Sequence, residues 1–198
     1  RGRVTVGSLG LTPSTDEKEQ DLLDEFKRRA LGLFGFQLGD DWELLAIAQH
    51  HGLPTRLIDW STNPLVALWF AVSGAGDETQ HAVVWVYEAD DDSIANMQDV
   101  KISPFSIDKT RVYYPNHIAP RIVAQNSVFT VHKHITLHDW FYKFESNARE
   151  NVELHKVKIY HDFCKDIMKS LDKYGINEAT LFPDLDGISR YVEWKQRI

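Results

Sequence analysis

One apolar run constrains the fold more than any other feature of this sequence: residues 63–74 read NPLVALWFAVSG. Asn63 is a favoured helix N-cap residue, and Pro64 suits the first helical position, where its missing amide hydrogen is not needed. The apolar part of the run is far shorter than the roughly 20 residues that a membrane-spanning helix requires. The sequence therefore predicts a core helix that begins at Pro64 and is buried on most sides, and it predicts no membrane anchor.

Composition and charge narrow the class of protein. The chain has 198 residues, of which 43% are hydrophobic, enough for one compact domain over residues 1–198. Its net charge of −7 argues against nucleic-acid binding by bulk electrostatics. The single cysteine, Cys164, cannot form an internal disulfide, which predicts a cytoplasmic location. Because residue 1 is Arg, we expect the natural chain to begin further upstream.

Periodicity predicts an α+β fold, with helices packed on a mixed or antiparallel sheet. Alternating or apolar runs predict strands at residues 83–87, 121–124, 128–131 and 154–159. Helical spacing of apolar residues predicts a first helix after Ser14 and Thr15 that stops near Gly32 or Gly35, and a second over about 42–48 with Asp40 or Asp41 as its cap. Further helices are predicted at 64–73 and 162–174, with a last helix starting near residue 186. Residues 90–120 carry three prolines and lack periodicity, which predicts a long irregular connection.

The densest polar segment, residues 49–63, connects two of the predicted helices. Arg56 could bind a phosphate or carboxylate through its planar guanidinium group, and His50 could exchange a proton near neutral pH. Ser61 and Thr62 precede the helix at Pro64, where free amides attract anions. The segment therefore favours a site for a small anionic ligand.

Other interpretations are open for these and for other polar residues. Arg56 could instead pair with Asp59 and only clip the segment together. A metal site would need His50, His51, Asp59, Asp184 and Asp186, but adjacent histidines seldom face one ion, and we expect no metal. Trp60 directly follows the polar residues and could wall a pocket for a base or nicotinamide ring. The histidines at 132, 134 and 138 are interpreted as a solvated strand end.

Three motifs along the chain together resemble the FRG domain family. Residues 49–60 read QHHGLPTRLIDW and are followed by NPLVALWFA, which is similar to the family's hallmark. Arg1-Gly2 resembles the end of its aromatic-Arg-Gly motif, residues 121–130 its Arg, Gln and Phe block, and residues 181–187 its C-terminal signature. The resemblance implies a single FRG-like domain over the whole chain. The family is known from bacteria and phages, and it has no agreed activity.

A looser resemblance is to the ADP-ribosyltransferase fold, which grips NAD between an aromatic-Arg-Gly strand, a Ser-Thr strand and a later acidic strand. It implies Arg1, Ser61 and Gln125 as catalytic residues, although Gln125 stands where those transferases place Glu. A neutral amide stabilises a developing cation less than a carboxylate does. The ligand-binding residues that we expect beside them are His50, Thr55, Arg56, Asp59, Trp60, Thr62 and Arg121.

Two functions therefore compete at this stage. In the first, a phosphorylated nucleotide such as NAD binds in an ADP-ribosyltransferase-like cleft; any activity would be that of a transferase or an NAD glycohydrolase, with NAD as substrate. In the second, the chain is a non-catalytic module that binds a ligand or a protein. The first function needs the polar residues to converge on an open pocket. If they bond to one another instead, the second function is favoured.

Overall fold

The computed structural model describes residues 16–33, 39–74, 81–116, 119–132 and 153–197, and it has the expected α+β architecture. The helices are α1 (Asp16–Ala30), α2 (Asp41–His50), α3 (Pro64–Ser73), α4 (Pro120–Ala124), α5 (His161–Lys173), α6 (Glu178–Leu181) and α7 (Leu185–Gln196). The strands are β1 (Leu57–Ser61), β2 (Ala82–Glu88), β3 (Arg111–Tyr113), β4 (Ser127–Val131) and β5 (Glu153–Ile159). Among the described residues, no helix is long and apolar enough to cross a membrane.

The strands form two small sheets. The first has the order β1-β4-β3, and β3 pairs with β4 in antiparallel register, with Val112 opposite Thr130. The second contains β2 and β5, which pair along their whole length with Ala82 opposite Ile159 and Glu88 opposite Glu153. These antiparallel pairings confirm the predicted fold class.

The chain divides into two compact units, and each has its own apolar core. The described residues of the first unit fall within 16–59, 89–116 and 129–132. Helix α2 is buried from Trp42 to Gln49, and the Trp42 ring lies 5.4 Å from that of Tyr113. The buried residues of this core are Leu23, Trp42, Leu44, Leu45, Ala46, Ala48, Leu57, Ile107, Tyr113, Phe129 and Val131.

The described residues of the second unit fall within 60–88, 119–128 and 153–197. Helix α3 begins at Pro64 as predicted, because the Asn63 side chain accepts a hydrogen bond from the amide of Leu65 at 3.0 Å. The prediction that this helix is buried on most sides is wrong, since Leu65 and Phe70 are exposed. The buried residues of this core are Val66, Trp69, Val72, Ala82, Cys164, Leu171 and Leu181.

Residues 121–124 form helix α4, whereas the sequence predicted a strand. Ile122 and Val123 are β-branched and favour strands. However, Pro120 occupies a first-turn position, and Asn126 takes a left-handed φ of 47° directly after the helix. These two positions enclose a single helical stretch, so the strand begins only at Ser127.

Candidate functional site

The polar segment after α2 is closed by a hydrogen-bond network between Gln49 and Thr55. The Thr55 hydroxyl donates to Oε1 of Gln49 at 2.6 Å and accepts from the amide of Leu57 at 3.2 Å. Nε2 of Gln49 donates to the carbonyl oxygen of Leu57 at 3.1 Å. Both polar side chains are buried, so each hydrogen bond replaces one that water would otherwise make. The network joins the end of α2 to the start of β1.

Arg56 is buried in an ion pair within the first unit. Its Nε lies 2.8 Å from Oε2 of Glu19, and the two side chains are only 4% and 11% exposed. The guanidinium group also lies over the Phe105 ring, 4.6 Å from the centroid, which is a cation–π distance. Sequence proximity favours Asp59 as the partner, whereas the ion pair in the structure joins Arg56 to α1. A buried charge held this way stabilises the fold only while its partner is present.

His132, next to the Arg56 site, is buried and not a solvated strand end, so that interpretation is wrong for this residue. Its Nε2 lies 2.8 Å from the Thr130 hydroxyl and its Nδ1 lies 3.4 Å from that of Thr110. Burial lowers the pKa of His132 to about 3, and the nearby charge of Arg56 acts in the same direction. The imidazole is therefore neutral at physiological pH. Residues 134 and 138 lie outside the described residues.

The other two candidates of the first unit lie near the surface. His50 ends α2 and its ring meets that of His51 edge to face at 5.1 Å. Asp59 is exposed, and its Oδ1 accepts from Nε2 of Gln49 at 3.4 Å.

In the second unit, Ser61 and Gln125 are in direct contact. The Ser61 hydroxyl donates to the main-chain carbonyl of Gln125 at 2.7 Å. The Gln125 side chain turns elsewhere, and its Nε2 donates to the carbonyl oxygen of Leu181 at 3.0 Å. The amide of Thr62 donates to the carbonyl oxygen of Asn126 at 3.1 Å. The residues before α3 thus bond to the residues after α4.

The two remaining candidates of the second unit contact aromatic rings. The guanidinium group of Arg121 lies over the Phe182 ring, 4.2 Å from its centroid. Trp60 lies 5.7 Å from Tyr87 between ring centroids, with the ring planes inclined by 45°. Both contacts bury part of an amphipathic side chain against a ring.

The structure therefore groups the predicted residues by unit. Thr55, Arg56 and Asp59 lie around the Gln49 network, while Ser61, Thr62 and Gln125 lie together before α3 and after α4. Arg1, the third predicted catalytic residue, lies outside the described residues.

Sequence reasoning missed the partners of these groups, chiefly Glu19, Gln49 and Leu181. Glu19 is separated from Arg56 by 37 positions, and Leu181 from Gln125 by 56, so no local spacing reveals either contact. Gln49 is the first residue of the QHHGLPTRLIDW motif. Its position directly after the apolar run of residues 44–48 was the available signal, because a polar residue there requires hydrogen-bond partners when buried.

Three exposed side chains could share a cation. The ligand atoms of Glu88, Glu153 and His155 lie within 4.8 Å of one another at the end of the β2–β5 ladder. All three are exposed, and groups of this kind are common without a bound ion. They are not the residues considered for a metal from the sequence, and they support no metal site.

The chain is thus an α+β protein in which Arg56 is held by Glu19, Thr55 by Gln49, and the Ser61 hydroxyl by the main chain of Gln125. The family model of the FRG domain matches residues 3–80. This match confirms the resemblance found in the sequence. No curated protein and no solved structure matches the chain. A single FRG-like domain over residues 1–198 stays a prediction, since the family match ends at residue 80.

Proposed function

We propose that this FRG-domain chain is a non-catalytic ligand-binding module. The observation that carries the proposal is the internal bonding of Ser61 and Gln125. A transferase would direct the Ser61 hydroxyl and the Gln125 side chain at NAD. In this chain the hydroxyl bonds to a main-chain carbonyl at 2.7 Å and the side-chain amide bonds to another at 3.0 Å.

Two chemical arguments support the absence of catalysis. Gln125 has no negative charge, so it would stabilise an oxocarbenium-like transition state less than a glutamate would. Arg56, the cation expected to bind a phosphate, is buried against Glu19. Releasing it to a ligand would break this buried ion pair, which is energetically unfavourable.

A second candidate keeps the nucleotide hypothesis: a phosphorylated nucleotide such as NAD binds in an ADP-ribosyltransferase-like cleft, as substrate and without a metal. One observation favours it, namely that two of its three expected catalytic residues, Ser61 and Gln125, are in contact. Under this candidate the Ser61 hydrogen bond would open when the nucleotide binds. We expect a cytoplasmic location under either candidate.

Calorimetric titration with NAD, combined with a mass-spectrometric assay for released nicotinamide, separates the two. The proposal predicts no nicotinamide release by the wild-type chain or by Gln125→Glu, which restores the carboxylate. Release that increases in Gln125→Glu and disappears in Ser61→Ala would contradict the proposal and support the transferase-like candidate. The matched control is Ser170→Ala, because the Ser170 hydroxyl is exposed and donates within its own helix, to the carbonyl oxygen of Asp166 at 2.9 Å.

A further inference from the structure

A cavity of about 290 Å³ lies within the second unit, among α3, α5, α6 and α7. Its volume is close to the lower end of the range of roughly 300–1,000 Å³ that is usual for small-molecule sites. None of the described residues that were predicted as a site lines it. The lining includes Trp69, Met168, Asp172, Glu178, Arg190 and Tyr191.

Two carboxylates of the cavity already hold cations of the chain. Oδ2 of Asp172 lies 2.6 Å from Nζ of Lys195, and Oε1 of Glu178 lies 2.6 Å from Nε of Arg190. Oδ1 of Asp172 also accepts from the Asn177 side chain at 3.0 Å. Burial raises the pKa of Asp172, but the hydrogen bonds from Lys195, Tyr191 and Asn177 together lower it below its usual value. Asp172 is therefore a fixed anion at the cavity wall.

Aromatic rings complete the surroundings of the Lys195 ammonium group. Tyr191 and Trp194 are stacked with an interplanar angle of 29°, and Nζ of Lys195 lies 5.9 Å and 5.8 Å from their ring centroids. A carboxylate combined with ring faces is the set of contacts by which proteins recognise organic ammonium groups. Here the chain's own lysine occupies that position.

We propose that this cavity binds an organic ammonium compound with an aromatic or other apolar body. Its cationic group would replace the Lys195 ammonium beside Asp172, and its body would pack against Trp69 and Met168. The inference rests on the proposed function, since it names the ligand class of the module. An anion is disfavoured because two carboxylates and one guanidinium group line the cavity.

Lys195 can leave this position because it is only loosely held. Its side chain is 43% exposed, whereas that of Asp172 is 10% exposed. An ion pair with one solvated partner is weak, so the lysine can turn into water when a ligand arrives. Lys195 then acts as an internal competitor for the ligand, and its removal should strengthen binding.

The test is calorimetric titration with tryptamine, compared with indole-3-propionate, which has the same ring and the opposite charge. We expect tryptamine alone to bind. Lys195→Met should bind it several-fold to about tenfold more tightly, because the competing cation is gone. Lys169→Met, which removes an exposed lysine of α5, should leave the affinity unchanged. Asp172→Asn should weaken binding by about tenfold.

Asp172 also supports the N-cap of α6, so Glu178→Gln serves as a second acidic variant if Asp172→Asn fails to fold. It too should weaken tryptamine binding. Absence of tryptamine binding to both wild type and Lys195→Met would overturn the inference, as would equal binding of indole-3-propionate or weaker binding by Lys195→Met. The tryptamine titrations involve no NAD, whereas the proposed function is contradicted by nicotinamide release from NAD, so the two can fail separately.

Discussion

Glu19 and Arg56 form a buried ion pair that ties α1 to the hallmark segment, residues 49–60, with Oε2 and Nε 2.8 Å apart. Glu19→Ala leaves the Arg56 guanidinium buried without this partner, and we expect the free energy of unfolding to fall by about 3–5 kcal/mol. Urea unfolding of the wild type and the variant measures the difference.

Asp59→Ala is the matched control for that variant. Asp59 is the acidic residue nearest to Arg56 in the sequence, but its side chain is exposed. Its loss should therefore cost clearly less than the loss of Glu19. A larger effect for Asp59→Ala than for Glu19→Ala would contradict the assignment of the ion pair.

His132 should make the protein less stable in mild acid. Its folded pKa of about 3 lies below the unfolded value near 6.5, so between these values only the unfolded chain binds a proton at this residue. Stability therefore falls as the pH falls, by about 1.4 kcal/mol per pH unit for one such group. Denaturant unfolding at pH 7.0, 6.0 and 5.0 tests the upper part of this window, which lies above the pKa of ordinary carboxyl groups, about 4.

His132→Gln removes the titrating group, so its stability should change less over the same pH range. His155→Gln, at an exposed histidine of β5, should keep the wild-type slope. Equal slopes for the wild type and His132→Gln would show that another group is responsible for the acid sensitivity.

Gly187 allows α7 to pack closely against Phe182. A Cβ atom at this position would lie 2.0 Å from the carbonyl oxygen of Phe182, which is main chain and cannot rotate away. Gly187→Ala should therefore lower the free energy of unfolding by about 1–3 kcal/mol or more. Gly74→Ala is the matched control, because its Cβ would meet the Phe70 carbonyl oxygen at an ordinary 3.4 Å. Similar melting temperatures for the two variants would contradict the close approach.

Local signals in the sequence predicted the starts of α2, α3 and α7. Asn63 with Pro64 fixed the start of α3, and Asp40 caps α2 by accepting from the amide of Glu43 at 2.8 Å. Asp184 likewise caps α7, within one or two residues of the predicted start. Each signal is contained within four residues of the chain, so no knowledge of the tertiary fold was needed.

Structure that depends on contacts between residues far apart in the sequence could not be predicted from local signals. Strand β1 lies in the polar hallmark segment and was expected to be a loop, since its regular structure depends on pairing with β4. The burial of His132 depends on Arg56 and Thr110, which are far away in sequence. The candidate residues were found by type, but whether they face a ligand or one another is set by the tertiary contacts.

The most direct test of the central claim is the stability of Thr55→Val with and without NAD. This substitution keeps the shape of the side chain but leaves Oε1 of Gln49 and the amide of Leu57 without the hydroxyl that they bond. If the hallmark segment serves the fold, the ligand-free variant should lose about 1–3 kcal/mol of unfolding free energy. NAD should then stabilise neither protein. Wild-type stability of the ligand-free variant, together with stabilisation of only the wild type by NAD, would contradict the account.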